Sequence, residues 1–114
     1  MKNEIQAAAK SRLLITAHRG VAGGNIPCNS MASYEAALVQ GADILEIDIT
    51  KSRDGELFVF HPGMEPIHLR SDKMINNITA AEVRELRYCN GDGTKTIQKV
   101  STLDEIFEHF GKRC

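Results

Sequence analysis

The stretch GADILEIDITKSRDGELFVFH, residues 41–61, contains two apolar runs separated by a short polar turn. In the first run, Ile44-Leu45-Glu46-Ile47-Asp48-Ile49 alternates strictly. A strand is therefore predicted, with Ile44, Glu46 and Asp48 on one side and Leu45, Ile47 and Ile49 on the other. Ser52-Arg53-Asp54-Gly55 reads as a turn into Leu57-Phe58-Val59-Phe60-His61. So short a connection joins antiparallel strands and not parallel ones, so the two runs should form a hairpin. Counting back from the turn puts His61 roughly opposite Asp48, so that their side chains could converge.

Upstream, residues 13–17 form a compact apolar run that predicts a buried strand ending at His18-Arg19-Gly20. Residues 21–27 are rich in glycine and predict a loop. Residues 30–40 carry Met31, Tyr34, Ala37 and Leu38 at helical spacing, with Asn29 or Ser30 as N-cap and Gly41 as the stop. Downstream, residues 62–77 read as loop, Thr79 caps a helix over residues 80–87, and Gly91-Asp92-Gly93 is a turn. Residues 102–110 predict a last helix with Leu103, Ile106, Phe107 and Phe110 on one face. No internal repeat, low-complexity tract or charge block divides the chain, so a single domain is expected.

The composition, 114 residues with 42% hydrophobic and 25% charged, is that of a soluble globular domain. Lys plus Arg numbers 14 against 15 acidic residues, a formal charge of -1, so no field exists to hold nucleic acid or an anionic membrane. Cys28, Cys89 and Cys114 are an odd count without CxxC spacing, which argues against a disulfide framework or a zinc knuckle and suits a reducing compartment. The opening MKNEIQAAAKSR has neither the apolar core of a signal peptide nor the length of a transmembrane segment, and a cytoplasmic location is expected. The glycines near residue 20 lack nucleotide-loop spacing.

Three strand ends deliver polar groups: His18 and Arg19, then Glu46 and Asp48, then His61. Paired carboxylates suit a hard cation such as Mg²⁺ or Ca²⁺, histidines transfer protons near neutral pH, and an arginine fork suits a phosphate. Each also has a bland reading. A histidine at a strand end is often a surface group, and alternating acids line many solvated sheet faces. His68, in the loop over residues 62–77, and His109, in the last helix, read as solvent-facing or structural.

The segments HRG at 18–20, NSMASYEAA at 29–37, GADILEID at 41–48 and DGELFVFH at 54–61 resemble, in order and spacing, the glycerophosphodiester phosphodiesterase family. A weaker likeness continues through Ile78-Thr79 and Ser101-Thr102-Leu103-Asp104-Glu105 and so reaches nearly the whole chain. The resemblance implies an α/β fold of the TIM-type (β/α)8 barrel, here only the N-terminal portion, with residues 1–12 as an extension and 13–114 as the partial domain. It also implies a hydrolase of lipid metabolism that cleaves a small-molecule glycerophosphodiester to an alcohol and glycerol 3-phosphate. His18 and His61 would be general acid and base, and Arg19 would contact the phosphate. Glu46 and Asp48 would bind a divalent metal cation, Mg²⁺ or Ca²⁺.

Two departures qualify what the resemblance implies. The family has a metal-binding Glu where this chain has Cys28, and a thiol is a poor partner for a hard cation; Cys28 reads as a packed or loop cysteine. A complete barrel takes about 250 residues, so this chain reads as a fragment whose open barrel edges would favour self-association. A noncatalytic barrel that keeps the phosphate pocket is therefore the alternative to an enzyme, and an unrelated small α/β chain is the third reading.

Overall fold

The computed structural model describes residues 2–114. Helix α1 (Lys2–Ser11) leads into strand β1 (Thr16–His18), helix α2 (Met31–Val39) and strand β2 (Ile44–Glu46). β1 and β2 pair in parallel, with Thr16 opposite Ile44, Ala17 opposite Leu45 and His18 opposite Glu46. Parallel neighbours need a crossover, and α2 supplies it. Ser30 is the N-cap of α2 and closes a capping box with Ser33, so the helix starts where its first N–H groups find side-chain acceptors.

The predicted buried strand over residues 13–17 is corrected: pairing begins at Thr16, Leu13 is 91% exposed and Ile15 is also exposed. Only Ala17 of that run is buried, while Leu14 is half-buried. Nor is the alternating run 44–49 one strand. It breaks at Ile47-Asp48, and β3 (Ile49–Lys51) leaves β2 to pair antiparallel with β4 (Leu57–Val59). The hairpin itself is as expected, with Thr50 opposite Phe58. Its register sets Phe60 opposite Asp48, where the Phe60 N–H donates to the Asp48 carbonyl at 3.0 Å, one residue short of His61.

Phe58, Val59 and Phe60, in and just after β4, are buried on both faces, which explains why this run does not alternate. Phe58 and Phe60 enter one core with Ile75, Val83, Tyr88 and Val100. Val59, pointing the other way, enters a second with Tyr34, Ile106 and Phe110.

Residues 62–77 are not simply loop: they contain a π-helix (Glu65–Leu69) and a 3₁₀ turn (Ile75–Asn77). Within the buried part of this segment, Glu65 accepts the Ile75 N–H at 3.0 Å. Helix α3 (Ala80–Arg84) begins at Thr79, as the sequence predicts, but ends earlier, because Arg87 already belongs to β5 (Arg87–Cys89). The turn at residues 91–93 joins β5 to β6 (Lys95–Lys99), an antiparallel pair with an irregularity between Arg87 and Cys89. Helix α4 (Leu103–Phe110) is capped by Thr102 and buries Ile106 and Phe110, while Phe107 stays largely exposed.

Between α1, β2 and α4 lies a largely apolar cavity of about 590 Å³, with Leu45, Ile47 and Ile106 among its walls. No described helix is long and apolar enough to cross a membrane.

Candidate active site

The parallel register puts His18 beside Glu46, with His18 Nε2 3.9 Å from Glu46 Oε2. That distance is too long for a hydrogen bond, and 72% of the His18 side chain faces solvent. Arg19 follows with a left-handed backbone, φ 60°, a conformation that a non-glycine residue holds only when its surroundings insist. Here they do: its N–H reaches both the Glu46 carbonyl at 3.1 Å and Glu46 Oε2 at 3.2 Å, and its carbonyl accepts the Asn29 N–H at 2.9 Å.

The Arg19 guanidinium is folded back, with Nε 2.9 Å from Asp48 Oδ2. Nε lacks a properly aligned hydrogen-bond acceptor, so the attraction is between charges more than through a directed N–H bond. Asp48 Oδ2 also accepts from Asn29 Nδ2 at 2.9 Å. Asn29 is the residue that local reading undervalued. It is not the helix cap; it is buried, carries φ 57°, and its Oδ1 accepts the Tyr34 hydroxyl at 2.7 Å and the Asp48 N–H at 3.3 Å. The Tyr88 hydroxyl approaches the Asn29 carbonyl at 3.5 Å. Burial pushes the pKa of both tyrosines upward, and nearby Asp48 adds to it, so both hydroxyls remain donors. One signal for Asn29 was available in the sequence, since asparagine tolerates the left-handed region better than most residues.

His61 lies just past β4, its Nδ1 2.9 Å from the Pro62 carbonyl. A carbonyl only accepts, so Nδ1 carries the hydrogen and Nε2 is the nitrogen left for proton exchange.

Two further groups enter that local reading set aside. His68, on the π-helix, places Nδ1 3.9 Å from Cys28 Sγ and meets the Phe60 ring edge-on at 6.2 Å. Burial lowers the His68 pKa, and the charges of Arg19 and His61 lower it further. Cys28 is pushed upward chiefly by burial, while Arg19 pulls the other way. His109 does lie at the surface, 3.3 Å from Glu35.

The Glu46 side chain is engaged at Oε2 and the Asp48 side chain at Oδ2, and carboxylate oxygens are hard donors. Mg²⁺ and Ca²⁺ take about six to eight ligands, however, and among the described residues no group of three or more His, Cys, Asp or Glu could hold a metal ion. The described residues do not by themselves compose a cation site.

A βαβ unit with polar groups at the C-terminal ends of its parallel strands is the active-site arrangement of α/β barrel and doubly wound enzymes. Comparison narrows this. The chain belongs to the glycerophosphoryl diester phosphodiesterase family, whose model matches residues 18–114. It is 31% identical to a glycerophosphodiester phosphodiesterase of Bacillus subtilis, over 100% of this chain and 44% of the relative. A solved glycerophosphodiester phosphodiesterase from Agrobacterium tumefaciens matches at TM-score 0.78 and 29% identity, covering 90% of this chain and 45% of that one. An Oleispira antarctica phosphodiesterase, solved with the product sn-glycerol-3-phosphate, matches at TM-score 0.76 and 29% identity, covering 93% of this chain and 43% of that one. The fold is thus a portion of the family's TIM-type barrel, and the chain spans less than half the length of these relatives.

Proposed function

We propose that this chain carries the proton-transfer and phosphate-binding groups of a metal-dependent glycerophosphodiester hydrolase. The observation that supports this reading most is the Arg19 fork, pinned by a strained backbone and by Asp48 between the ends of β1 and β2. With Nε facing Asp48, the Nη edge is the one a phosphate would meet, and a planar fork suits two phosphoryl oxygens.

In this reading a hydroxyl of the substrate's glycerol arm attacks phosphorus. One histidine of the His18 and His61 pair takes its proton while the other protonates the departing alkoxide. Water then opens the cyclic phosphate with the two roles exchanged, leaving glycerol 3-phosphate. His61 Nε2 is suited to this because Nδ1 is engaged by Pro62. Glu46 and Asp48 would contribute two of the oxygen ligands of Mg²⁺ or Ca²⁺, which would supply further stabilisation of phosphoryl charge. A second reading, a noncatalytic phosphate-binding barrel, is favoured by the lack of a third metal-ligating group among the described residues.

The test is release of sn-glycerol 3-phosphate from a glycerophosphodiester with Mg²⁺, Ca²⁺ or Mn²⁺ added. Release that His61→Ala and Arg19→Ala each reduce by at least about 10²-fold supports the hydrolase. Binding of sn-glycerol 3-phosphate that needs Arg19, without turnover, supports the noncatalytic barrel. Turnover indifferent to all of His18, Arg19 and His61 refutes the assignment.

A further inference from the structure

A second cavity, of about 300 Å³, is walled in part by Ile26, Pro27, Cys28, Ile67, His68 and Asn90. Its volume is at the lower end of small-molecule sites, which run from about 300 to 1,000 Å³. Cys28 joins this cavity to the phosphate-binding groups. It lines the wall, and its chain neighbour Asn29 donates its N–H to the Arg19 carbonyl at 2.9 Å and its Nδ2 to Asp48. A phosphodiester has two alcohol arms, so with its phosphate on Arg19 one arm has this cavity within reach.

We propose that the cavity between Cys28 and His68 receives the departing alcohol arm of the phosphodiester, the arm that does not attack phosphorus, and selects a neutral, hydroxyl-bearing arm there over a quaternary ammonium one. The proposal rests on the phosphodiesterase reading and adds to it a specificity. Among the described residues that line it, none is Asp, Glu, Lys or Arg, and none is Phe, Tyr or Trp. A quaternary ammonium would therefore lose water without gaining either a carboxylate or an aromatic face. Hydroxyls have partners here: the His68 ring, the Cys28 thiol, and the Asn90 side-chain carbonyl, whose own Nδ2 is already given to Asn25 at 2.8 Å. The His68 ring is held in place by its edge-on contact with Phe60 and by the π-helix that carries it, an element found frequently at functional sites.

The experiment follows alkylation of Cys28 by iodoacetamide in the full chain, read by peptide mass spectrometry, with exposed Cys114 as reference. Probes are sn-glycerol 3-phosphate, glycerophosphoglycerol and glycerophosphocholine. The concentration of glycerophosphoglycerol that halves the Cys28 alkylation rate should be about tenfold lower than that of glycerophosphocholine, the scale of a hydrogen bond or two. Ile67→Asp places a carboxylate at an exposed position on the wall and should reverse that order. Equal protection by the two diesters, or an order unchanged in Ile67→Asp, overturns the proposal. If both diesters and sn-glycerol 3-phosphate bind in an Arg19-dependent way yet leave Cys28 unprotected, the cavity assignment alone fails. If none of the three binds, the phosphodiesterase reading fails with it.

Discussion

Replacing Gly20 with alanine would put a methyl group 2.5 Å from Ser33 Oγ, 2.6 Å from the Ser33 carbonyl carbon and 2.7 Å from its oxygen. None of these atoms can yield easily. Ser33 is fully buried, its hydroxyl donates to the Ser30 carbonyl at 2.8 Å and lies 3.1 Å from the Arg19 carbonyl, and its own carbonyl accepts the Val21 N–H at 2.9 Å. The backbone at Gly20 is also left-handed, φ 78°, which costs an alanine about 1–2 kcal/mol. Forcing a methyl into a packed site costs typically about 1–3 kcal/mol more. Together the loss is about 2–5 kcal/mol, a large share of the roughly 5–15 kcal/mol of a typical domain. Gly24→Ala is the internal control: it shares the left-handed backbone, φ 55°, but nothing lies within 4 Å of the added methyl. The two variants differ by the methyl clash alone, so urea unfolding followed by circular dichroism should show Gly20→Ala with a midpoint lower than that of Gly24→Ala by about 0.3–3 M, for slopes near 1–3 kcal/mol per M. Equal midpoints would show that the close approach of Gly20 to Ser33 does not constrain the loop carrying His18 and Arg19.

Three further outcomes can be checked. Tyr34→Phe removes the buried hydroxyl donor to Asn29 Oδ1 and should destabilise the chain by about 1–3 kcal/mol in the same unfolding assay, with NMR shifts propagating to Asp48. Thr102→Ala removes the cap that holds the Glu105 N–H at 3.1 Å and should cost about 1 kcal/mol, read as reduced protection of the first α4 amides in hydrogen exchange. The Arg113 guanidinium, bonded to both carboxylate oxygens of Glu35, holds the Glu35 pKa down from 4.5 to about 2. A depressed carboxylate stabilises the fold above its unfolded pKa and loses that contribution as pH falls through the folded one, here between about pH 5 and pH 2. Arg113→Ala should return the Glu35 midpoint, followed by carbon-detected NMR, towards 4.5 and flatten the acid side of the stability profile. A midpoint unmoved by the substitution would refute the pairing.

Local chemistry is where sequence and structure agree most closely. Ser30, Thr79 and Thr102 start their helices because a hydroxyl and the residue three further on satisfy the first N–H groups, an arrangement complete within four residues. The Asp54-Gly55 turn likewise dictates the β3–β4 hairpin from inside a short window. Ile44 to Ile49 shows where such a window fails. Its alternation satisfies two different partners in succession, β1 and then β4, and a change of partner leaves no mark on a period of two.

The candidate site divides in the same way. Histidine, arginine and acid residue types in family order were legible from the chain, because side-chain chemistry belongs to single residues. What Arg19 faces, why Asn29 matters, and that His68 sits beside Cys28 were decided by tertiary structure alone. Those contacts join residues 19 to 40 positions apart, and their geometry depends on how the βαβ unit, the hairpin and the π-helix pack around Phe60 and Tyr34. Packing is a property of many residues acting together, so only the folded chain could reveal it.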